Sequence, residues 1–501
     1  MAGKTGQTGL TGLLLVAFFV LMGWCCARSS CSSPDSDLSD RWVPRQRPQP
    51  IIRRSPAELR TDFDGGNSSV LRADVPQGSL VVLQSLDLTG GHHTYCLKTV
   101  SREGAEDSAG RRILQNSSGS RWRDGIAADT AQQELLLPGS RHCVEVGAIA
   151  LARSTANTRR LLLPQFTDAG LHDVAMDCRS IFMGEAVAVY VAPELPAADT
   201  EETLSLCRAL EQQLRRGNGT LRVAIETELG SIDDIDGDGR LTVVLTNLDR
   251  RRSNHVSAIN RVPVLGCVRE ADFLGAQTET GGDLVYLAPE GLWQPGSQSL
   301  VAHELAHAAV HCRQRGRFLR GQGKLAIPEW FHEALAHVAE HSVAGPGEFY
   351  EQRLAEFQLS PQTCPVVTGF PSAWGAGRGG SRPAGLLFLQ CAMQRSANLP
   401  ELFERCETFD ELLDGVLRQS FGESLAEWGP LAAMDILRAR PQAIASLRAD
   451  MEHSGVMSGT AFQCWRSETS PLTIEVHSNA AAALQLNVFT CEDELRMSRA
   501  D

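Results

Sequence analysis

The feature that most constrains this chain is a pair of histidines four residues apart in the pentapeptide His303-Glu304-Leu305-Ala306-His307. In an α-helix, residues four apart are rotated by about 400°, so both imidazoles return to one face and can reach a single ion. Glu304 is rotated by about 100° from His303, a direction that suits a carboxylate facing a metal-held water. The spacing therefore predicts a helix that binds a metal and activates water for hydrolysis.

The residues around the pentapeptide predict that this helix is buried. Residues 283–287 are typical of a short strand, and prolines and glycines at positions 289–296 then interrupt the chain. A helix follows from about Ser299 to Arg313, and its apolar residues form a broad face: Leu300, Val301, Leu305, Ala306, Ala309 and Val310. A motif with only three fixed positions occurs by chance in many proteins. The alternative to a metal site is therefore a buried helix whose histidines hydrogen-bond to backbone carbonyls or neighbouring side chains.

A catalytic zinc ion takes three protein ligands, so the two histidines require a third. The pattern with a further histidine six residues after His307 does not apply, because that position is Arg313. A second helix is predicted to start at Pro328, whose missing N–H is not needed at a helix start. Its apolar residues recur at helical spacing: Trp330, Phe331, Ala334, Leu335 and Val338. A glutamate on this second helix is the alternative source of the third ligand.

Together the two segments resemble the gluzincin metallopeptidases, and most closely the hyicolysin-like group among them, whose second active-site helix reads approximately W-x-x-E-G/A-x-A. The matching residues are Trp330, Glu333, Ala334 and Ala336. The resemblance implies that His303, His307 and Glu333 bind one Zn²⁺ and that Glu304 is the general base of a peptidase. Many gluzincins have an aspartate at the position of His337 that orients a zinc-bound imidazole, and this chain departs from that pattern.

Six of the thirteen histidines lie between His303 and His341, so this segment has more ligating side chains than one ion needs. His311 is rotated by about 80° from His303, which favours a place beside the ligands or on the surface. His332 and His337 point about 140° apart and do not form a second metal pair. We expect His337 to lie near the site without binding the metal.

The transition state of peptide hydrolysis usually needs a further hydrogen-bond donor, commonly tyrosine or histidine in this class. Tyr286, Tyr350 and His341 are the candidates nearest in sequence, and the sequence does not distinguish among them. The strand that contains Tyr286 is also the predicted sheet edge that would pair with an extended peptide substrate.

The first residues predict export. An apolar run from Leu13 to Met22 follows a single basic side chain, Lys4, and is typical of a signal peptide or signal anchor over residues 1–28. Residues 29–59 are rich in serine, proline and charged side chains and predict a disordered tether. We expect a secreted or cell-envelope protein that contacts a membrane only if its N-terminal segment is uncleaved or lipidated.

Fourteen cysteines in an exported chain favour disulfide bonds. Eleven of them lie from Cys96 onward, so at least one stays unpaired unless Cys31 or another chain supplies a partner. The expected pairs are Cys96 with Cys143 and Cys464 with Cys491, because each pair brackets a strand-rich stretch.

A chain of 501 residues predicts more than one domain, and we expect an α+β fold. Short alternating segments among turn residues predict an N-terminal β domain over residues 60–178. Strands that alternate with helices, followed by further helices, fit a zincin-like domain over residues 179–453, with a mixed sheet half, a helical half and the active site in the cleft between them. Residues 454–501 predict a small C-terminal β unit.

Residues 234–239, Asp-Ile-Asp-Gly-Asp-Gly, begin like a calcium-binding loop. Asp234, Asp236 and Asp238 offer hard oxygen ligands around tight glycine turns, and they are the candidate Ca²⁺ ligands. The twelfth position of the loop is Leu245 rather than glutamate, so a full EF-hand is not predicted. The alternative is an acidic turn that leads into the next strand.

The formal net charge of −13 argues against non-specific binding to nucleic acid. The sequence therefore predicts a secreted zinc peptidase with a protein or peptide substrate, and it leaves the oligomeric state open. Two alternatives remain. One is a catalytically inactive binding protein with a zincin fold, and the other is a metallohydrolase that acts on a non-peptide amide such as a cell-wall linkage.

Overall fold

The computed structural model describes residues 69–87, 92–101, 157–167, 170–195, 200–250, 263–274, 281–293, 296–345, 348–367, 381–393, 398–468, 472–478 and 484–490. The predicted export signal and tether, residues 1–59, lie outside the described residues. None of the helices within these ranges has both the length and the hydrophobicity that crossing a bilayer requires.

The described residues form an α+β structure with three sheets. The strands are β1 (Ser69–Val75), β2 (Leu80–Ser85), β3 (His92–Ser101), β4 (Thr158–Thr167), β5 (Gly170–Met183), β6 (Val187–Val191), β7 (Leu241–Leu245), β8 (Gly266–Cys267), β9 (Leu284–Leu287), β10 (Ala445–Leu447), β11 (Glu452–Ser458), β12 (Phe462–Ser467), β13 (Leu472–Ser478) and β14 (Leu484–Phe489).

The described α-helices all lie between β6 and β10 in the chain. They are α1 (Glu201–Leu214), α2 (Leu221–Leu229), α3 (Glu270–Leu274), α4 (Pro289–Leu292), α5 (Ser297–Leu319), α6 (Glu329–Ala344), α7 (Glu348–Leu359), α8 (Ser381–Met393), α9 (Leu399–Arg405), α10 (Phe409–Leu417) and α11 (Phe421–Ala439). Single turns of 3₁₀-helix span Pro361–Thr363 and Pro441–Ala443.

The largest sheet has six strands in the order β4-β5-β6-β7-β9-β8. Strands β6, β7 and β9 run parallel, whereas β4, β5 and β8 join by antiparallel pairing. Every residue of β7 and β9 is buried, because both faces of these central strands are covered. The sequence of β9 accordingly reads as a continuous apolar run.

The two faces of this sheet pack into different cores. On one face, Val243 and Val285 contact the helices and join the main hydrophobic core of the protein. On the other face, Val244 and Tyr286 pack with residues of the β4–β5 hairpin, including Leu161. Alternate residues of one strand therefore belong to separate environments, as the two-residue period of a strand requires.

Helices α5 and α6 pack against each other, and α8 packs on α6 from the other side. Their shared core contains large aromatic and aliphatic side chains from α6, α8, α10 and α11. Helix α11 begins with a capping box, in which the Ser420 side chain accepts from the Glu423 amide and Glu423 accepts from the Ser420 amide. This helical layer covers the face of the six-stranded sheet that carries α5.

Two four-stranded sheets, β1-β13-β3-β11 and β10-β12-β2-β14, form a second β layer. Side chains from both sheets, including Leu97 and Trp465, share one core. The other face of β2 packs on the helical layer, where Gln84 Nε2 donates to the carbonyl of Leu425 at 2.6 Å. Because both of its faces are covered, all six residues of β2 are buried.

This layer differs from the predicted arrangement of separate N-terminal and C-terminal β domains. Strands β1 to β3, from the predicted domain 60–178, pair with strands β11 to β14 near the other end of the chain. Strands β4 and most of β5, from the same predicted domain, instead extend the six-stranded sheet. Strand pairing between distant segments leaves no local signal in a sequence, so the boundaries at 178 and 454 do not mark where these sheets divide.

The predicted disulfides each involve a cysteine outside the described residues, Cys143 or Cys491. Their expected partners, Cys96 and Cys464, are thiols in the structure. Cys96 donates a hydrogen bond to Glu452 at 3.3 Å, and burial raises the pKa of Cys464 to about 12.

Candidate metal centre

Helix α5 carries three of the predicted site residues and is fixed against the sheet by its apolar face. Gly296 precedes the helix with a φ of 87°, a left-handed conformation that glycine adopts without steric strain. Val301 and Leu305 pack in the same core as Val285 and Leu287 of β9. The helix therefore lies on one face of the sheet in a defined rotation, which determines where its polar side chains point.

His303, Glu304 and His307 are all buried, with only 7%, 4% and 9% of their surfaces exposed. The two imidazole rings meet edge to face with centroids 4.7 Å apart, and their Nε2 atoms are 3.1 Å apart. Both imidazoles thus face one point, in keeping with the four-residue spacing.

Helix α6 contributes the third side chain. It begins after Pro328, which is the N-cap residue, and Trp330 stacks on Phe421 of α11 at a centroid distance of 5.4 Å. This aromatic contact anchors the start of α6 on the helical layer. Glu333 follows one turn later in a buried position that faces α5.

The three side chains converge on one place. Glu333 Oε2 is 3.6 Å from His303 Nε2, and Glu333 Oε1 is 3.6 Å from His307 Nε2. The two nitrogens are 3.1 Å apart, so each carboxylate oxygen of Glu333 lies near one of the two imidazoles. This buried cluster has the composition and spacing to hold a metal ion.

The two histidines differ in their affinity for a proton. Burial would lower the pKa of His303, but hydrogen bonds to Glu333 and Glu340 raise it to about 10. Burial and the charge of His303 hold the pKa of His307 well below its usual value. In the metal-free protein the cluster therefore keeps a proton on His303, and a metal ion would replace that proton.

Glu340 is a member of the site that sequence reasoning missed. Its Oε2 accepts hydrogen bonds from Nδ1 of His303 at 3.2 Å and from Nδ1 of His337 at 3.0 Å. Burial would raise the pKa of Glu340, but these two imidazoles lower it well below its usual range. Glu340 lies two helical turns after Glu333, so a seven-residue spacing on the predicted second helix was the signal available in the sequence.

Glu340 makes the contact with an imidazole for which the resemblance implies an aspartate at position 337. Because it binds Nδ1 of His303, it leaves Nε2 directed at His307 and Glu333. His337 itself lies beside the site, as expected, with its ring 4.5 Å from that of His303 and its Nε2 3.3 Å from Arg353 of α7. Nδ1 of His303 and Nδ1 of His337 also form, with Glu340, a second group of atoms close enough to share an ion.

Two further histidines extend the row of imidazoles. The ring of His332 is 4.5 Å from that of His307 and 4.9 Å from that of His311. His311 is buried, with 8% of its surface exposed, so the expected alternative of a surface position is wrong. Burial holds the pKa values of His311 and His332 well below normal, so both rings are neutral.

Glu304 projects from α5 toward strand β8. A Cβ atom on Gly266 would overlap the Glu304 carboxylate, so the absence of a side chain at this position makes room for the predicted general base. Gly266 pairs with Leu287 and therefore shares its face of the sheet, the face that carries α5. The backbone of β8 is thus the part of the sheet that lies directly against Glu304.

Strand β8 is also the edge of the described sheet on this side. The prediction that the strand of Tyr286 forms the edge is wrong, because β9 pairs with β7 on one side and with β8 on the other. Strand β8 was not predicted because its two residues are too few to show the alternating pattern of a strand in the sequence.

The three candidate donors for the transition state lie in different places. The side chain of Tyr286 is on the face of the sheet opposite α5, and its hydroxyl contacts the Leu162 carbonyl at 3.0 Å and Asp272 Oδ2 at 2.9 Å. Tyr350 and His341 lie together where α7 meets α6, with ring centroids 5.0 Å apart. The geometry therefore excludes Tyr286 as a donor to the transition state and leaves Tyr350 and His341 as the candidates.

The predicted calcium ligands do not all converge. Asp234 and Asp236 form a cluster with Asp283, a residue that sequence reasoning did not consider for this role. Asp238 is exposed and its carboxylate accepts instead from the amide of Arg240 at 2.8 Å.

The chain matches none of the protein-family models and none of the curated proteins with which it was compared. The strongest constraint on the function is the buried group of two imidazoles from one helix and one carboxylate from another, which lie close enough together to hold a metal ion.

Proposed function

We propose that the protein is a zinc-dependent peptidase of the gluzincin type, with a zincin-like catalytic region that acts outside the cytoplasm. The observation that carries this proposal is the convergence of His303, His307 and Glu333: two helices bring the two Nε2 atoms to 3.1 Å from each other, and each of them to 3.6 Å from a carboxylate oxygen of Glu333. These residues are separated by up to thirty positions in the chain, so their convergence is a property of the fold.

The distances fit zinc. Zn²⁺ binds imidazole nitrogen and carboxylate oxygen at about 2.0–2.2 Å, and tetrahedral geometry then separates neighbouring ligand atoms by about 3.3 Å. Two imidazoles with one carboxylate are a common ligand set of catalytic zinc, whereas Ca²⁺ and Mg²⁺ prefer oxygen ligands alone. Three protein ligands leave a fourth position for water.

When bound, Zn²⁺ would supply a water of lowered pKa, near 7, and would polarise the carbonyl of the substrate. Glu304 accepts a proton from the attacking water and returns it to the departing amine. Its burial beside Gly266 fixes its direction without a competing side chain. Glu340 holds His303 in the tautomer that presents Nε2 to the cluster.

The position of β8 supports a peptide as the substrate. An extended peptide can pair with the open edge of a sheet through its backbone, and β8 is that edge in the described residues. A peptide aligned on β8 would pass beside Glu304, which packs on the Gly266 backbone. This arrangement brings a peptide carbonyl and the general base together.

The test compares the wild-type chain with Glu304→Gln in zinc content and in the cleavage of a proteome-derived peptide library. We expect one zinc per chain in both proteins and a loss of cleavage of about 100-fold or more in the variant, the usual contribution of a positioned base. Glu290→Gln is the matched control, because Glu290 is an exposed glutamate on the short helix just before α5.

Three results would contradict parts of the proposal. Full activity of Glu304→Gln would eliminate this residue as the base. A zinc-loaded wild-type protein that cleaves no peptide would favour an inactive binding protein. Cleavage of peptidoglycan fragments without cleavage of peptides would favour a hydrolase of non-peptide amides.

A further inference from the structure

Three aspartates meet at the edge of the six-stranded sheet where the parallel strands begin. Asp234 and Asp236 lie on the loop before β7, and Asp283 immediately precedes β9. Strands β7 and β9 are adjacent and parallel, and the amide of Thr242 donates to the carbonyl of Asp283 at 3.1 Å. Each aspartate offers one carboxylate oxygen, and the three oxygens lie within 4.8 Å of one another.

Asp283 is the informative member of this cluster. Its surface is 0% exposed, its Oδ1 accepts from the amide of Ile235 at 3.4 Å, and its Oδ2 has no hydrogen-bond partner among the described residues. A buried carboxylate that lacks a counter-charge is costly, so this position calls for a cation or a proton.

The described cations near the cluster do not balance its charge. Arg159 Nη1 is 2.8 Å from Asp236 Oδ2, and Nη2 of the same guanidinium donates to the Gly281 carbonyl at 3.2 Å. Three carboxylates against one guanidinium leave a formal charge of −2, which a divalent cation would neutralise.

Two backbone amides of the loop fix the position of the Asp234 carboxylate. The two carboxylate oxygens of Asp234 accept from the amides of Gly237 at 2.9 Å and Gly239 at 3.0 Å. These bonds hold the Asp234 carboxylate in place and leave lone pairs on each oxygen. Asp234 and Asp236 are exposed on their outer sides, so water can complete a coordination shell.

We propose that Asp234, Asp236 and Asp283 bind one Ca²⁺ at this edge of the sheet. The ligands are all hard oxygens, and their mixed burial suits the flexible, water-containing coordination of Ca²⁺ better than the strict octahedron of Mg²⁺. Asp238 takes no part. The site is separate from the histidine cluster, and the proposal does not depend on peptidase activity.

The site would stabilise the helix that carries His303 and His307. The amide of Asp233, next to the first ligand, donates to Cys312 Sγ of α5 at 3.2 Å. Bound Ca²⁺ would tie this loop to β9, and the loop in turn contacts α5. We therefore expect Ca²⁺ to act on stability rather than on the reacting groups.

The test is equilibrium dialysis of the full-length, zinc-containing protein against radiolabelled Ca²⁺, in buffer cleared of divalent ions by a chelating resin, with zinc content measured before and after. We expect saturable binding of one Ca²⁺ per chain and a rise of a few degrees in Tm at about 10 mM CaCl₂. Asp283→Asn should weaken Ca²⁺ binding about tenfold or more, because the charge of the ligands sets calcium affinity. Asp238→Asn, in the same loop, is the matched control and should bind like the wild type.

Asp283→Asn should also unfold at the same or a higher temperature than the wild type when Ca²⁺ is absent, because it removes a buried carboxyl that has no counter-charge. If Asp283→Asn fails to fold, as judged by circular dichroism, Asp236→Asn takes its place with the same expected loss. The proposal is overturned if the wild type shows no saturable Ca²⁺ uptake up to about 10 mM. It is equally overturned if the folded variant binds Ca²⁺ like the wild type, or if Mg²⁺ saturates the site and Ca²⁺ does not.

Discussion

Two buried polar clusters lie on opposite faces of the six-stranded sheet, and they differ in how their polar atoms are satisfied. On the face away from α5, the Tyr286 hydroxyl contacts Asp272, and Arg269 pairs with both Asp272 and Asp173. On the face that carries α5, two imidazole nitrogens and a carboxylate point at one another within 3.6 Å. The first cluster consists of donors matched to acceptors, whereas the second directs several lone pairs at one place, where only the proton on His303 lies among them.

Burial of polar groups therefore does not by itself identify a functional site. Matched donors and acceptors need nothing further, so the cluster around Tyr286 stabilises the attachment of the β4–β5 hairpin. Lone pairs directed at one point repel unless a proton or a metal ion lies among them. The histidine cluster is therefore the one that calls for a ligand, and substitutions on the two faces should have different consequences.

Replacement of the carboxylate ligand should have the largest effect. In Glu333→Ala, two imidazoles remain, and we expect zinc affinity to fall by more than the roughly 10–100-fold that follows loss of an outer hydrogen-bond partner of a ligand. Competition with a chromophoric zinc chelator measures the affinity. If this variant still bound stoichiometric zinc tightly, Glu333 would not be a ligand. The polar clusters on the two faces of the sheet would then no longer differ in the way described.

Crowding of the general base should reduce turnover and leave zinc in place. A methyl group in Gly266→Ala would overlap the Glu304 carboxylate, so this side chain must move. A displacement of about 1 Å at a reacting group costs roughly 100-fold in rate, and we expect kcat to fall by about that factor.

Gly422→Ala is the control for this substitution, because no atom lies within 4 Å of the position of its added methyl group. Zinc content separates a displaced base from a damaged metal site. If Gly266→Ala turned over substrate at the wild-type rate, Glu304 would not need its present position, and its role as the base would be in doubt.

Loss of the orienting carboxylate should have a moderate effect on metal binding. Glu340 Oε2 accepts from Nδ1 of both His303 and His337, and Glu340→Ala removes this acceptor from both imidazoles. We expect zinc affinity to fall about 10–100-fold, as is typical when a ligating histidine loses its partner. Unchanged affinity would mean that the packing of α5 alone orients His303.

The parts of the site that follow from local helical spacing were predictable from the sequence. His303, Glu304 and His307 share one helix, and Glu333 lies on a second helix whose aromatic and apolar residues are periodic. Glu340 was also predictable from helical spacing, because it lies seven residues after Glu333 and therefore on the same face of the helix. It was not predicted, because the resemblance implies the acidic residue at position 337 instead.

The parts that depend on distant pairing were not predictable in this way. Strand β8 has two residues, and only its pairing with β9 makes it the edge beside Glu304. Strands β2 and β12 lie nearly 400 positions apart in the chain, yet they are hydrogen-bonded neighbours. Asp283 joins the acidic loop for the same reason, because β7 and β9 are adjacent only in the folded sheet.

The smallest effect on activity should come from Tyr286→Phe, and it is the most direct test of the contrast between the two faces. The substitution keeps the ring in its core and removes the hydroxyl that contacts Asp272 and the Leu162 carbonyl. We expect the free energy of unfolding to fall by about 1–3 kcal/mol, because a buried acceptor loses its donor. The value of kcat/KM and the zinc content should stay at the wild-type level, since the hydroxyl faces away from α5. If instead Tyr286→Phe lost most of its activity while it kept its zinc and its Tm, the hydroxyl would have to reach the substrate, and the two clusters would act as one site.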